Sequence, residues 1–124
     1  MYGRAVRSYR QVNLDSATPA RLLDELFLRL ERDIAEARQR LAAGDWGGKG
    51  EAISHALAIV CELSAALDFK TAPELCQHLA RLYEFVSSRL THANVHRDAR
   101  ALDEAAKIVT TLHDGFQTAA QTAR

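Results

Sequence analysis

Proline is scarce, with Pro19 and Pro73 the two in 124 residues. Both follow a threonine-containing cap candidate at the head of a long apolar-periodic segment. A helix tolerates proline there, because the missing N–H belongs to a residue without an intrahelical partner. The six glycines are too sparse to form a phosphate-cradling loop. There are two cysteines, Cys61 and Cys76, with no CxxC between them, so neither a redox motif nor a zinc site is written here. They read as small packing residues. Charge of one sign is also lacking, since 16 basic and 16 acidic side chains cancel. No field of the whole molecule would then draw it to nucleic acid or an anionic membrane. No apolar run approaches the roughly 18 to 20 residues that span a bilayer, and no signal-peptide core is visible, so a cytoplasmic protein without membrane insertion is expected.

What is present is helical periodicity. The length fits one domain over residues 1–124, with a real core, and the 48% hydrophobic and 26% charged composition is that of a folded protein. From Pro19 to about Ala43, Leu23, Phe27, Leu30, Ile34, Ala37 and Leu41 recur at 4-3-4-3-4 spacing and predict one inward stripe. Gly44 to Gly48 supplies a stop and a turn. A second helix over about Lys49 to Asp68 carries Ile53, Leu57, Val60 and Leu67, with Ala52, Ala56, Ile59, Leu63 and Ala66 in the adjacent register. Its apolar face is unusually wide. A third, about Pro73 to Asn94, presents Leu75, Leu79, Leu82, Val86, Leu90 and Ala93. Asp98 can cap a fourth, in which Leu102, Ala105, Val109, Leu112, Phe116 and Ala119 form the stripe and Gly115 invites fraying toward Arg124. No alternating strand pattern competes. The expected fold is all-α, an antiparallel up-down four-helix bundle over residues 16–124, its helices each about 30 Å long, preceded by an N-terminal extension.

The side chains that could carry chemistry are poorly placed for it. Di-iron bundles need Glu-x-x-His on inward faces. Glu51/His55 and Glu74/His78 are instead i,i+4 pairs on helices whose inward stripes are aliphatic, so no metal or other cofactor is expected. His92 and His96 flank a sequence lacking the glutamate of a metalloprotease motif, and Asn94 falls where the helix should end. No serine or cysteine has a histidine that the sequence can pair with it. An enzyme is not expected. The aromatic residues say more. Trp46 in the glycine turn suits closure over a bundle end, and Tyr83 and Phe85 cannot both enter one core, so one belongs on the rim. Leu28 falls outside the first stripe and reads as exposed.

The first fifteen residues carry Arg4, Arg7 and Arg10 with no acid before Asp15, and Tyr2, Val6 and Tyr9 at a spacing that one short helical stretch could lay against the bundle. A frayed tail is the plain alternative. The wide apolar face of the second helix is where such a segment would land.

From Tyr9 to about Phe116 the sequence resembles the flagellin-specific export chaperones, the FliS family. The resemblance is carried by Tyr9-Arg10-Gln11 ahead of Ala17-Thr18-Pro19, by Leu22 and Leu26-Phe27, by Ile59-Val60 with Leu63 and Leu67-Asp68, and by Leu82-Tyr83 with Phe85, Arg89-Leu90 and Ala93-Asn94. It departs from the family in Leu26-Phe27-Leu28-Arg29, where a tyrosine hydroxyl is lost, and in Phe116, where tryptophan is common. The resemblance implies a cytoplasmic chaperone without ATP that covers the disordered C-terminal segment of flagellin, prevents premature polymerisation and presents the subunit to the export apparatus, an export-gate component being a further partner. A segment that folds on binding suits a long apolar groove. The expected partner-binding residues are Tyr9 as lid or clamp within residues 1–15, Ala56, Ile59 and Leu63 as groove floor, Tyr83 at its edge and Asn94 at the corner between the third and fourth helices. The protein is expected as a monomer or homodimer. The alternative is a structural bundle that uses its wide face for self-association.

Overall fold

The computed structural model describes residues 19–122. The expected lid over residues 1–15, with Tyr9, and the cap before Pro19 lie outside the described residues. Four helices follow: α1 (Pro19–Ala42), α2 (Trp46–Ala65), α3 (Pro73–His96) and α4 (Ala99–Thr122). No strand occurs among the described residues.

Local chemistry sets the ends. Asp45 caps α2 by accepting the Gly48 N–H at 2.9 Å, so the helix starts at Trp46, three residues before the expected Lys49. A Cβ on Gly48 would stand 2.4 Å from the Asp45 carboxylate, so the absence of a side chain there makes room for the cap. α2 stops at Ala65 because the Asp68 carboxylate turns back onto the N–H groups of Lys70 at 3.1 Å and Thr71 at 3.4 Å and the Thr71 hydroxyl at 2.8 Å. Such side-chain bonds offer the backbone an alternative to helix. α3 closes on Arg97 in the left-handed region, φ 51°, with Ala93 O accepting the Arg97 N–H. Asp98 then accepts the Arg100 N–H at 3.0 Å and opens α4, as expected. α4 continues through Gly115 as far as Thr122.

Each helix packs on two neighbours in a ring, α1 on α2 and α4, and α3 on α2 and α4, with no diagonal pair. Cross-links run in opposite sequence order, Asp24 reaching His113 while Arg38 reaches Asp103, as antiparallel helices require. All six members of the α1 stripe are buried in one hydrophobic cluster. On α4, Leu102, Ala105, Val109 and Phe116 are buried, Leu112 is half-buried and Ala119 is exposed.

The α3 stripe differs from expectation. The buried row is Cys76, Leu79, Tyr83, Val86, Leu90 and Ala93. It keeps the 3-4 rhythm but replaces Leu75 and Leu82 with Cys76 and Tyr83. Leucine at both outer positions made the sequence ambiguous by one residue, about 100° around the helix. Packing against α2 and α4 selects the row that centres the tyrosine.

Candidate partner-binding surface

That rotation turns a second row of α3 outward. Leu75, His78, Leu82, Phe85, Arg89, His92 and His96 follow at 3-4 spacing, beside the buried row. Leu75 is 44% exposed and Phe85 43%, while Leu82 is half-buried. Arg89 leans over the Phe85 ring, 5.9 Å from its centroid, and lies 3.9 Å from Glu104 of α4. The row therefore borders the α3–α4 seam. Ile108, one turn beyond Glu104, is half-buried there on α4. Phe85 on α3 and Ile108 on α4 each stand one helical turn from the Arg89–Glu104 pair, with Leu82 a further turn along α3.

The expected groove floor is elsewhere. Ala56 and Leu63 have no exposed surface and Ile59 is 3% exposed. All three belong to the same hydrophobic cluster as the α1 stripe. This corrects the expectation of an open trough along α2. Alanines at 52 and 56 leave room for close approach, and α1 and α2 form the most extensively packed pair of the ring, so the wide face is used up in the bundle itself. Tyr83, expected at the groove edge, is 2% exposed and lies in the core row. Phe85 takes the rim position instead.

Asn94 sits in the last turn of α3, half-buried. Its carbonyl accepts the Lys49 ammonium at 2.9 Å, an interaction of α2 with α3 rather than of α3 with α4. Lys49 is buried, and a cation suits the electronegative C-terminus of a helix. Trp46 does not close over the bundle end; it is exposed, with the Arg97 guanidinium 4.0 Å above its ring. The exposed Val95 shares that end. Leu28 is exposed, as its position off the stripe implied.

Sequence reasoning missed His113. It is buried on the opposite seam, where Nε2 meets Asp24 at 2.6 Å and Nδ1 meets Glu31, both on α1. Its signal was present, since 113 follows Val109 by four and precedes Phe116 by three, the spacing of the α4 stripe. Among the described residues no group of three or more histidines, cysteines and carboxylates could hold a metal ion, and no helix is long and apolar enough to cross a membrane.

The described residues form an antiparallel helical bundle with a filled core and exposed apolar side chains along one face of α3. Comparison with known proteins places this bundle in a family. The family described as Flagellar protein FliS matches residues 2–123. The flagellar secretion chaperone FliS of Salmonella typhimurium is 32% identical over 117 residues, covering 90% of this chain and 87% of the relative. FliSB of Pseudomonas aeruginosa, also a flagellar secretion chaperone, is 32% identical over 117 residues, with 91% and 93% covered. A crystal structure of a flagellar chaperone from bacteria shares the fold at a TM-score of 0.79 and 19% identity, covering 94% of both chains. The chain belongs to the FliS family of flagellar export chaperones.

Proposed function

We propose that this export chaperone binds the C-terminal segment of flagellin in the cytoplasm, holds it back from polymerising and delivers it to the export apparatus, where a gate component is a second partner. The observation that carries the reading is the outward apolar row of Leu75, Leu82 and Phe85 along the α3–α4 seam. A segment disordered when free forms an amphipathic helix in such a strip, with anchors at i, i+3 or i+4 and i+7. Ordering the segment offsets part of the gain, so affinity stays moderate and release remains possible. The side chains that touch the client are then Phe85 and its neighbours, while Ala56, Ile59, Leu63 and Tyr83 hold the helices that present them. Residues 1–15, with Tyr9, act as a displaceable lid whose docking energy lowers apparent affinity.

Calorimetry with a flagellin C-terminal peptide tests this. Binding is expected with a negative heat-capacity change. Phe85→Asp should weaken it at least tenfold, a difference of about 1.4 kcal/mol, while changing the melting temperature little, because the side chain lies outside the hydrophobic core. Absence of heat at high micromolar peptide contradicts the reading. The same exposed row also suits self-association, and light scattering over a dilution series separates the two: a client-binding chaperone retains a competent monomer, whereas a structural homodimer dissociates only with loss of the fold.

A further inference from the structure

The α1–α4 seam carries a polar cluster apart from the proposed client-binding row. His113 is 5% exposed. Both ring nitrogens face carboxylates: Nε2 contacts Asp24 Oδ1 at 2.6 Å, and Nδ1 contacts Glu31 Oε1. A carboxylate only accepts, so two such contacts require a proton on each nitrogen, which means an imidazolium. Neutral imidazole could donate to one carboxylate only, leaving its other lone pair against the second anion. Phe27 stacks on the ring, with centroids 5.3 Å apart and planes 12° from parallel, and Phe27 in turn packs on Phe116 at 5.9 Å. Gln117 adds a bond to Asp24 Oδ1 at 2.9 Å. From α1 the charged groups on the ring are Asp24 and Glu31. On α4 the adjacent Asp114 is exposed, and α3 contributes no hydrogen bond or ion pair to the ring.

We propose that His113 is a pH-sensitive clasp: as an imidazolium it ties the C-terminal half of α4 to the N-terminal half of α1, and deprotonation releases that end of the seam. What it releases is defined. Beyond His113, α4 contains Gly115, whose Cβ position touches nothing, and meets α1 through Phe116 on Phe27 and Gln117 on Asp24. Opening would bare Phe27 and Phe116, two aromatic rings that the closed seam hides.

The direction follows from the environment. Burial pulls His113 toward the neutral form, but the hydrogen bonds to Asp24 and Glu31 and their charges outweigh it, and its pKa lies above the ordinary imidazole value. A group raised in the folded state contributes its full stabilisation below its unfolded pKa, about 6.5, and loses it as pH rises through the folded value. Within that window the opening equilibrium grows up to tenfold per pH unit, because each opening releases one proton.

Two measurements on the full chain decide the matter. An NMR titration of the His113 ring should show both nitrogens protonated at pH 6.5 and a midpoint above the ordinary imidazole value of about 6.5; a midpoint at or below it overturns the clasp. Amide-exchange protection, corrected for intrinsic rates, should fall with rising pH at 109–121 and 20–31. In His113→Gln that fall should vanish, whereas His55→Gln should keep it; an unchanged slope in His113→Gln overturns the proposal. Should His113→Gln not fold, Glu31→Gln removes one anion and leaves the Phe27 stack, and the His113 midpoint must then drop.

Discussion

Tyr83 and Phe85 are two residues apart on one helix, yet the first is sealed in the core and the second reaches solvent. Two helical steps separate them by about 200°, so only one can face inward, and the packing decides which. Solvent access matters for charge in the same way. Asp33, half-buried, has its pKa raised, chiefly by burial, which outweighs the favourable charges of His55, Arg29 and Arg32. A carboxyl raised in the fold contributes stability below its unfolded pKa and loses it as pH rises through the folded value. Its ionised form therefore costs stability at neutral pH. Asp33→Asn should melt higher than the parent at pH 7 and show no such advantage at pH 3, as compared by thermal unfolding at the two pH values.

For a helix, the ends carry most of the local information. The Gly44 to Gly48 stretch signals a break, but the break occupies only residues 43–45, because Asp45 converts the following glycines into a first helical turn. Losing this cap should cost about 1 kcal/mol. Asp45→Ala is accordingly expected to lower the urea midpoint by that equivalent without changing the slope, and amide protection should be lost first at Gly48. A midpoint unchanged from the parent would mean that the cap is dispensable. At the other end of the same contact, Arg97 holds a left-handed conformation usually left to glycine, a cost of roughly 1–2 kcal/mol. Its guanidinium over Trp46 offsets about 0.5–1 kcal/mol of that. Helix α3 thus ends at a residue that serves α2 as well.

In the whole molecule, the ring of four helices explains why α2 offers no trough. Each helix has two flanking neighbours, and a face of doubled width is what a helix between two neighbours needs. Leu63, without exposed surface, is then a keystone of the core. Leu63→Ala should cost about 2–5 kcal/mol through lost burial and a residual cavity, read by denaturant unfolding. If the variant instead kept its stability and lost peptide affinity, α2 would line the client groove after all.

Much of this was legible beforehand. The 4-3-4-3-4 spacing of Leu23 through Leu41 assigned the α1 stripe without a structure, and the four helices follow from periodicity and breaks alone. On α3, leucines at 75, 79 and 82 allow two neighbouring rows, and only contact with α2 and α4 chose between them. The expected trough along α2 is closed because amphipathic width does not say who covers it. His113 escaped notice because its carboxylates lie 82 and 89 residues away. Local spacing, capping and apolar rhythm are properties of neighbours in the chain, so the sequence by itself determined the helices, their order and the bundle. Which face stays open and which charges meet are properties of neighbours in space, decided only when the helices closed on one another, because burial, desolvation and pairing do not exist before the ring is complete.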